Sequence, residues 1–490
     1  MFIPRIPRVG IRRTIPAAAV TGRGPAHRLI GSGRREHSRR RGLTRLLPLI
    51  GAAALCTSTL LAPGVPASAA APPARAANTP VVGIHDSSIR DCDGYEAYTG
   101  TNPNYRAVAA AINHSSWSGL HVGTIRVSVP WDIAYHDRTS PAGKSLEVEQ
   151  VCFNYWLAAA AAHHLTPEVA FKPDYNYLDP TGKKIRVPDI GTYEAAMNSF
   201  TALYSNCTSG GTAGTCNLPT VDQQAGWAPY PAGTGAMARV TTIAPWGEPN
   251  FHDTTDKVGF ARLPQTFAMP QGGSTFDDPH CNLPATEATC GPVLAAQMWV
   301  ALQHRCPSYT VIAGDFSSSA GLETRYDSAP YLDTYNRYLK DLHGGTSIYH
   351  PTTWALHPYT DVSSFEYNTL THHPLTPLPQ TLIGTFATAL HHRGYNASTH
   401  IWLDEVSAFA IDMFHNHQHY TDQLQAQAAT YLITQLSHAG GASTPGEPVV
   451  TQLYYLRYAD GAGHPNVALV VADKARPVYW AIAHRPAPQL

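Results

Sequence analysis

Two short stretches of the chain place a carboxylate directly after a run of β-forming residues. In Val240–Phe251 (VTTIAPWGEPNF) the apolar run breaks at Gly-Glu-Pro-Asn, so Glu248 stands at the end of a predicted strand. In His400–Ser407 (HIWLDEVS) the run Ile-Trp-Leu leads to Glu405 in the same way. Two acids at strand ends suit a reaction that needs a proton donor and a nucleophile, as the cleavage of a glycosidic bond does.

The second stretch contains a competing acid. Strand alternation places Glu405 on the same face as Leu403, and Asp404 on the same face as Trp402. We therefore expect only one of the two carboxylates to point into a site, and we take Glu405, with Asp404 as the alternative. Asp315, which ends another predicted strand, is a lesser candidate acid.

Short apolar runs alternate with helix-like stretches along the chain. The predicted strands are Val81–His85, Thr124–Val129, Glu168–Phe171, Val240–Trp246, Tyr309–Gly314, Thr352–Leu356, His400–Leu403 and Val449–Tyr455. The predicted helices are Tyr105–Asn113, Leu146–His164, Tyr193–Ser205, Val293–His304, Ala329–Leu342, Leu378–His392, Asp422–Ser437 and Pro477–Ala483.

This alternation predicts an α/β protein with a (β/α)8 TIM barrel, formed by residues 80–490 as one catalytic domain. The alternative, an open doubly wound sheet, is less favoured because no Gly-rich phosphate turn follows the first strand. Long insertions flank strand four, at 206–238 before it and at 251–291 after it. The second insertion is expected on the face where barrel enzymes bind substrate, and the first on the opposite face.

Residues 1–69 are predicted to be a signal peptide and not part of the fold. They contain twelve arginines and one acid, an apolar run at Leu46–Leu61 and an A-x-A cleavage pattern at Ala67–Ala69. Ser38–Leu43 approximates a twin-arginine motif. Residues 70–79 resemble a Pro/Ala linker in composition, and no other apolar run is long enough to span a bilayer. We therefore expect a secreted, extracellular protein.

Net charge limits the classes of binding partner, and the cysteine content bears on disulfide formation. The chain has 34 Lys+Arg and 35 Asp+Glu, and without residues 1–69 these become 22 and 34, a net charge of about −12. An acidic surface argues against nucleic acid and anionic membrane as partners. Seven cysteines remain after residue 69, and in an exported protein they favour disulfides. Two close pairs could each close a loop and the other three leave one odd thiol: Cys207/Cys216, Cys281/Cys290, and Cys92, Cys152 and Cys306.

The order of these motifs resembles the retaining glycoside hydrolases with a (β/α)8 barrel and acids on strands four and seven, the clan that includes families 5 and 39. The stretches that carry the resemblance are Trp246–Asn250 on strand four and Trp402–Glu405 on strand seven. Arg126 in strand two, His357–Tyr359 after strand six and the terminal Arg476–Trp480 also match. Together these motifs extend over the chain from the first predicted strand to the last predicted helix.

The resemblance implies a role for each matched residue. Glu248 would be the general acid/base and Glu405 the nucleophile of a hydrolase acting on O-glycosyl compounds. Arg126 and Tyr359 would lie next to the nucleophile and help to keep it ionised, and His357 would face the same subsite. No cofactor is implied, and we expect a monomer whose partner is an oligo- or polysaccharide.

Two departures from the pattern of the clan bear on the substrate. Gly247 stands where the clan usually has an Asn that contacts the sugar 2-hydroxyl, and Asn250 could supply that contact instead. We therefore expect a sugar whose 2-position differs from that of glucose or xylose. Strand eight lacks the expected stacking Trp and offers Tyr454 and Tyr455. Further candidates for contact with the sugar are Trp131 and Trp246.

Two alternatives from other classes remain open. The first is a barrel that binds glycan without cleaving it, which the two departures would permit. The second is a metal-dependent hydrolase, because His415, His417 and His419 alternate just after strand seven. His85, after strand one, could line the sugar site or be an ordinary loop residue.

Overall fold

The structure is a computed structural model that describes residues 80–483 apart from several gaps, and all described residues belong to one unit, Ala70–Leu490. The gaps are 87–114, 136–140, 173–187, 189, 207–209, 213, 219–234, 250–290, 318–327, 342–348, 410–418, 442–444, 457–468 and 472–473. Several predictions lie outside the described residues: the signal peptide and linker, the helix Tyr105–Asn113, Asn250, most of both insertions, and His415 and His417.

Nine strand segments form a single parallel sheet. We number the barrel strands β1 Val81–His85, β2 Thr124–Pro130, β3 Thr166–Lys172, β4 Thr242–Ala244, β5 in two segments (Thr310–Val311 and Ala313–Ser317), β6 Thr353–His357, β7 His400–Val406 and β8 Val449–Leu456. Each predicted strand is present, with its ends moved by a few residues.

The two segments of β5 close the sheet into a barrel. The first segment pairs with β4 through Thr310 and Val311, and the second pairs with β6 from Ala313 onward. Since β1 pairs with both β2 and β8, every strand has two neighbours and no edge is left. The predicted (β/α)8 barrel is confirmed.

Helices surround the barrel. Among the described residues they are α1 Pro141–Ala162, α2 Ile190–Phe200, α3 Gly291–Arg305, α4 Ser328–Asp341, α5 Tyr359–Thr371, α6 Leu382–His392, α7 Asp422–Thr434 and α8 Pro477–Ala483. No helix of the described part is long and apolar enough to cross a membrane.

Between strands six and seven the structure has one helix that was not predicted and one that is divided near its start. Helix α5 was not predicted, because its sequence YTDVSSFEYNTLT is rich in Thr, Ser and Asn, which have low helix propensity. The predicted helix Leu378–His392 is instead a 3-10 turn at Leu378–Gln380 followed by α6. Thr381 separates the two, since its extended backbone and its side chain, which accepts the Gly384 N–H at 3.1 Å, form the N-cap of α6.

Strand alternation sorts the side chains between two cores. In β2, Ile125, Val127 and Val129 face the helices and are buried in the large outer core. Inside the barrel a small cluster packs against one indole: Ala170, Ala244, Ile312 and Ala355 against Trp402. These small residues leave room inside the barrel for the polar groups described below.

Part of the first insertion is described. Thr215–Asn217 pairs antiparallel with Ala236–Ala238, and this hairpin packs against α1. Three of the seven cysteines after residue 69, Cys152, Cys216 and Cys306, are buried in the described part of the chain, while the other four lie outside it. The disulfide pairing stays a prediction.

Candidate active site

Glu248 lies in the turn that follows β4, as predicted. The Gly247 N–H donates to the Phe171 carbonyl of β3 at 2.8 Å, and the Glu248 N–H donates to the Asp315 carbonyl of β5 at 2.9 Å. The turn is thus fixed to both neighbouring strands. Glu248 has a φ of +51°, a left-handed conformation that non-glycine residues rarely adopt. Its side chain keeps 16% of its surface exposed.

Glu405 lies in β7, where a β-bulge changes the direction of the side chains. Leu403 pairs with Leu453 of β8 and Val406 pairs with Tyr455, so β7 has one residue more than its partner over this interval. Of the two adjacent acids only Glu405 keeps exposed surface, whereas Asp404 is fully buried. Because the bulge breaks the strict alternation, both Asp404 and Glu405 approach Arg126, at 4.0 and 3.3 Å.

The Glu405 carboxylate is surrounded by groups that stabilise its charged form. The Tyr359 hydroxyl donates to Oε1, and Oε2 lies 3.0 Å from His85 Nδ1 and 3.3 Å from Arg126 Nη1. Burial opposes ionisation, but the charges of His85, His357 and Arg126 and the hydrogen bond with His85 outweigh it. They hold the pKa of Glu405 well below its usual range, while the side chain stays 19% exposed.

His357 connects Glu248 to the interior of the barrel. Its Nδ1 lies 3.0 Å from Glu248 Oε1, and its Nε2 lies 2.5 Å from Asp315 Oδ1. Burial alone would lower the pKa of His357, but the charge of Asp315 and the hydrogen bonds with Asp315 and Glu248 raise it well above its usual value. The two acids on either side of the imidazole thus favour its protonated form.

Arg126 is fully buried and forms hydrogen bonds with several acids of the barrel interior. Its guanidinium donates to Glu168 at 2.9 Å and to Asp315 at 2.6 Å, in addition to Glu405. Burial raises the pKa of Glu168 to about 7 against the opposing charge of Arg126, and burial together with Glu168 raises the pKa of Asp404 well above its usual value. Burial thus favours the protonated forms of these two interior acids.

The sequence prediction did not single out Glu168. The signal was an acid in the middle of the predicted strand Glu168–Phe171, on the same alternating face as Ala170. A charged residue on the inner face of a barrel strand is unusual unless it has a partner, and the partner here is Arg126.

The other predicted contact residues are placed less directly. Trp131 and Trp246 are buried, at 0% and 2% exposure. Tyr455 is fully buried, and its hydroxyl accepts the Ala408 N–H at 3.0 Å, whereas Tyr454 points inward against Trp402. The structure brings Arg126, His357 and Tyr359 to the two carboxylates, but it does not bring Tyr455 there. The contacts of these residues with a sugar stay predictions.

No group of three or more His, Cys, Asp or Glu side chains suited to a metal ion is found among the described residues. His419, the described member of the histidine series, has an exposed side chain. The metal-dependent alternative therefore draws no support from the part of the chain that the structure describes.

Fold and site together define a closed parallel barrel with two partly exposed carboxylates at the carboxyl ends of β4 and β7. No family model matches the chain, and no curated protein sequence matches it. Among solved structures, the chain is similar to GH5_18 from Streptomyces cattleya in complex with GlcNAc, at 12% identity over 84% of this chain and 82% of that chain, with a TM-score of 0.45.

Two further solved structures are similar in the same way. The exo-beta-1,4-mannosidase Op5Man5 from Opitutaceae bacterium strain TAV5 has 10% identity over 83% of this chain and 58% of its own, with a TM-score of 0.41. A psychrophilic glycoside hydrolase family 10 endo-beta-1,4-xylanase has 9% identity over 83% and 97%, with a TM-score of 0.39. Identities and TM-scores this low do not transfer a function, so the functional argument rests on the side chains of the barrel.

Proposed function

We propose that this protein is a glycoside hydrolase that cleaves O-glycosidic bonds with retention, using Glu405 as nucleophile and Glu248 as general acid/base. One observation carries the proposal: a partly exposed Glu405 carboxylate is held ionised by contacts with Tyr359, His85 and Arg126. A carboxylate kept anionic at the end of a barrel strand is what a glycosidase nucleophile requires.

In the first step, a Glu405 oxygen attacks the anomeric carbon while Glu248 gives its proton to the glycosidic oxygen. The bond between the anomeric carbon and that oxygen breaks, the leaving group departs as an alcohol, and a glycosyl ester on Glu405 remains. Tyr359 and Arg126 orient the carboxylate for attack, because they bind its two oxygens from fixed elements, α5 and β2.

In the second step, the Glu248 carboxylate takes a proton from a water molecule whose oxygen attacks the anomeric carbon. The ester bond breaks and Glu405 leaves as a carboxylate, so that two inversions give net retention. His357 Nδ1, 3.0 Å from Glu248 Oε1, orients this side chain in both steps.

The test is product analysis with Glu405→Ala and Glu248→Ala beside the wild type, on a panel of aryl glycosides and polysaccharides with EDTA present. Both variants should lose at least about 10³-fold in kcat on unactivated substrates. Added azide should then separate the two roles on an aryl β-glycoside with a good leaving group. It should give the α-glycosyl azide with Glu405→Ala and the β-glycosyl azide with Glu248→Ala, since the second variant still forms the glycosyl ester.

Glu194→Ala is the matched control, because Glu194 lies on α2 with 45% of its side chain exposed and pairs with Arg305 at 3.5 Å. It should retain wild-type activity. Retained activity in Glu405→Ala would transfer the nucleophile to Asp404. A wild type that binds glycans and releases no product would instead favour the non-catalytic barrel, and loss of wild-type activity in EDTA would favour the metal-dependent hydrolase.

The proposal extends to the substrate through Gly247. A Cβ at this position would lie 3.4 Å from Asp315 Oδ2 and 3.6 Å from the Phe171 carbonyl. The chain therefore has no side chain where the clan usually has the Asn that contacts the sugar 2-hydroxyl, and the Asp315 carboxylate lies next to that position. We expect a β-linked sugar that differs from glucose and xylose at carbon 2. The aryl β-glucoside should be turned over more slowly than at least one 2-epimer or 2-substituted analogue, and equal or faster turnover of the glucoside would disprove this extension.

The proposal also includes export through residues 1–69. Expression of the full chain, followed by N-terminal sequencing of the protein found outside the cell, should give a mature chain that begins close to residue 70. A cell-retained chain that keeps its first residues would contradict export.

A further inference from the structure

Asp315 occupies an irregular place in β5. Gly314 pairs with Ala355 of β6 and Phe316 pairs with Leu356, so that Asp315 is an extra residue in its strand. Gly314 has a φ of +84° and Asp315 a φ of +58°, and the latter is a left-handed conformation with a steric cost for a residue with a Cβ. A costly backbone conformation kept inside a barrel indicates that the position of this side chain matters.

The Asp315 carboxylate is fully buried and joins the two halves of the proposed site. Oδ1 lies 2.5 Å from His357 Nε2, and Oδ2 accepts from Arg126 Nη2 at 2.6 Å. At their far ends, His357 Nδ1 lies 3.0 Å from Glu248 and Arg126 Nη1 donates to Glu405 at 3.3 Å. One carboxylate thus connects both exposed acids through one cation each.

We propose that Asp315 is a positioning residue that couples Glu248 and Glu405, by fixing His357 and Arg126 in the orientations in which each serves one of the two acids. Asp315 does not touch the sugar, since its side chain is 0% exposed. The inference rests on the proposed function for its catalytic consequence, but the coupling itself is a property of the barrel that can be measured without a substrate.

The charge of Asp315 is necessary to this role. An amide would present one acceptor and one donor, and its donor would face either Arg126 or the imidazolium of His357, neither of which can accept. The carboxylate faces both cations, and despite burial these hold the pKa of Asp315 below its ordinary value. Other charged groups that act on Asp315 or feel its charge are Glu405, Glu168 and Asp404.

Gly247 and Asp315 fit each other at this point. A Cβ at position 247 would lie in van der Waals contact with Asp315 Oδ2, at 3.4 Å. The Asp315 carboxylate therefore lies directly beside the position at which the clan usually carries an Asn. The departure at Gly247 and the acid on β5 are two parts of one arrangement.

The first measurement is the protonation of His357 in Asp315→Asn, read from long-range ¹H–¹⁵N spectra of the imidazole nitrogens and assigned by difference from His357→Gln. In the wild type both nitrogens should still be protonated at pH 7, since the pKa of His357 is raised well above its ordinary value. In Asp315→Asn the apparent pKa of His357 should fall by about one pH unit or more. Asp333→Asn, an exposed acid on α4 paired with Arg393, is the matched control and should leave the titration unchanged.

A neutral His357 at pH 7 in the wild type would overturn the inference, and this result does not depend on whether Asp315→Asn folds. An unchanged titration in a folded Asp315→Asn would overturn it equally. These spectra involve no substrate, so they decide the coupling even if no glycoside is hydrolysed and the proposed function fails.

The second measurement is steady-state kinetics of Asp315→Asn on the best glycoside. We expect kcat to fall by roughly 10- to 100-fold with KM within about threefold, the loss that follows removal of a charge-assisted hydrogen bond used in the transition state. The pH profile of kcat/KM should move together with the His357 titration. Activity within about twofold of the wild type and an unmoved profile would show that Asp315 only supports the fold.

Discussion

The amide of Glu248 donates a 2.9 Å hydrogen bond to the carbonyl of Asp315, and both residues have positive φ. The turn that presents the proposed acid/base is therefore fastened to a second irregular backbone on the adjacent strand. Positive φ costs a residue with a Cβ about 1–2 kcal/mol, which the neighbouring hydrogen bonds must offset.

This strain predicts that glycine, compared with alanine, stabilises the protein at position 248 and destabilises it at position 194. Glu248→Gly should be more stable than Glu248→Ala by about 0.5–1 kcal/mol, because glycine relieves the left-handed backbone by more than it gains in unfolded-state entropy. At Glu194, in the middle of α2, the same pair should favour alanine by about 1 kcal/mol. Urea unfolding of the four variants checks this, and alanine favoured at both positions would contradict it.

The hydrogen bond from the Tyr359 hydroxyl to Glu405 leads to a prediction for the acid limb of the pH profile, the range in which kcat/KM falls as the pH is lowered. The wild type should keep kcat/KM constant to below pH 4.5 on that limb, since the pKa of Glu405 lies well below its usual value. Tyr359→Phe removes a donor to the carboxylate and so raises the pKa of Glu405. The acid limb should move to higher pH, with kcat reduced roughly 10- to 100-fold.

Tyr367→Phe is the matched control for this experiment, since Tyr367 lies on the same helix, α5, two turns further along. Its kinetics should match those of the wild type. An acid limb that stays in place in Tyr359→Phe would show that the hydroxyl does not stabilise the Glu405 anion.

Glu168 predicts a pH dependence of stability. Its pKa is raised from 4.5 to about 7 in the folded protein, mainly by burial, so the folded state binds the proton more tightly than the unfolded state. This contribution is fully present below about pH 4.5 and is lost as pH rises through about 7, an effect on the order of 3 kcal/mol. Denaturant unfolding between pH 4.5 and 8 should show the decline in the wild type.

In Glu168→Gln this decline should become shallower, because the glutamine does not titrate. Glu194→Gln, at an exposed position, should keep the wild-type slope. A wild-type stability that rises between pH 4.5 and 7 would contradict the direction, since the pKa of an acid lowered by folding is what produces such a rise.

Asp361 joins the two helices that follow β6. From α5 its carboxylate accepts the N–H groups of Leu382 and Ile383, at 2.8 and 3.0 Å, in the first turn of α6. Asp361→Ala should destabilise the protein by about 1–2 kcal/mol, because two helix N–H groups lose their acceptor. Asp333→Ala, where the acid is 65% exposed, should change the unfolding free energy by less than about 0.5 kcal/mol.

The barrel could be predicted from the sequence, whereas its irregular positions could not. Strands such as Val81–His85 and Val449–Leu456 carry apolar runs bounded by turn residues. Such runs indicate a strand even where the exact ends and the pairing of the strand are unknown. The bulges at Asp315 and between Leu403 and Val406 cannot be recognised in this way. The alternation of inward and outward side chains along a strand does not show where one residue has been added. The sequence therefore could not show that the buried Asp404 and the partly exposed Glu405 both approach Arg126.

The same reason explains why the buried network was found only in part. Arg126, His357 and Tyr359 were predicted because they belong to short motifs that resemble those of the clan. Glu168 lies within a strand, and its function depends on a guanidinium 42 residues earlier in the chain, which the tertiary fold brings to 2.9 Å. Contacts of this kind follow from barrel closure and not from local pattern.

The bulge in β7 has a consequence for how this site can diverge. Substitutions in the strand leave the count of residues unchanged, but deletion of one residue between Leu403 and Val406 would restore regular pairing with β8. One acid would then be lost from the mouth, while the apolar residues on either side would still face the helices. Such a one-residue deletion would leave only one of the two acids that approach Arg126, so homologues that keep both acids should differ here by exchange of residues and not by a change in length.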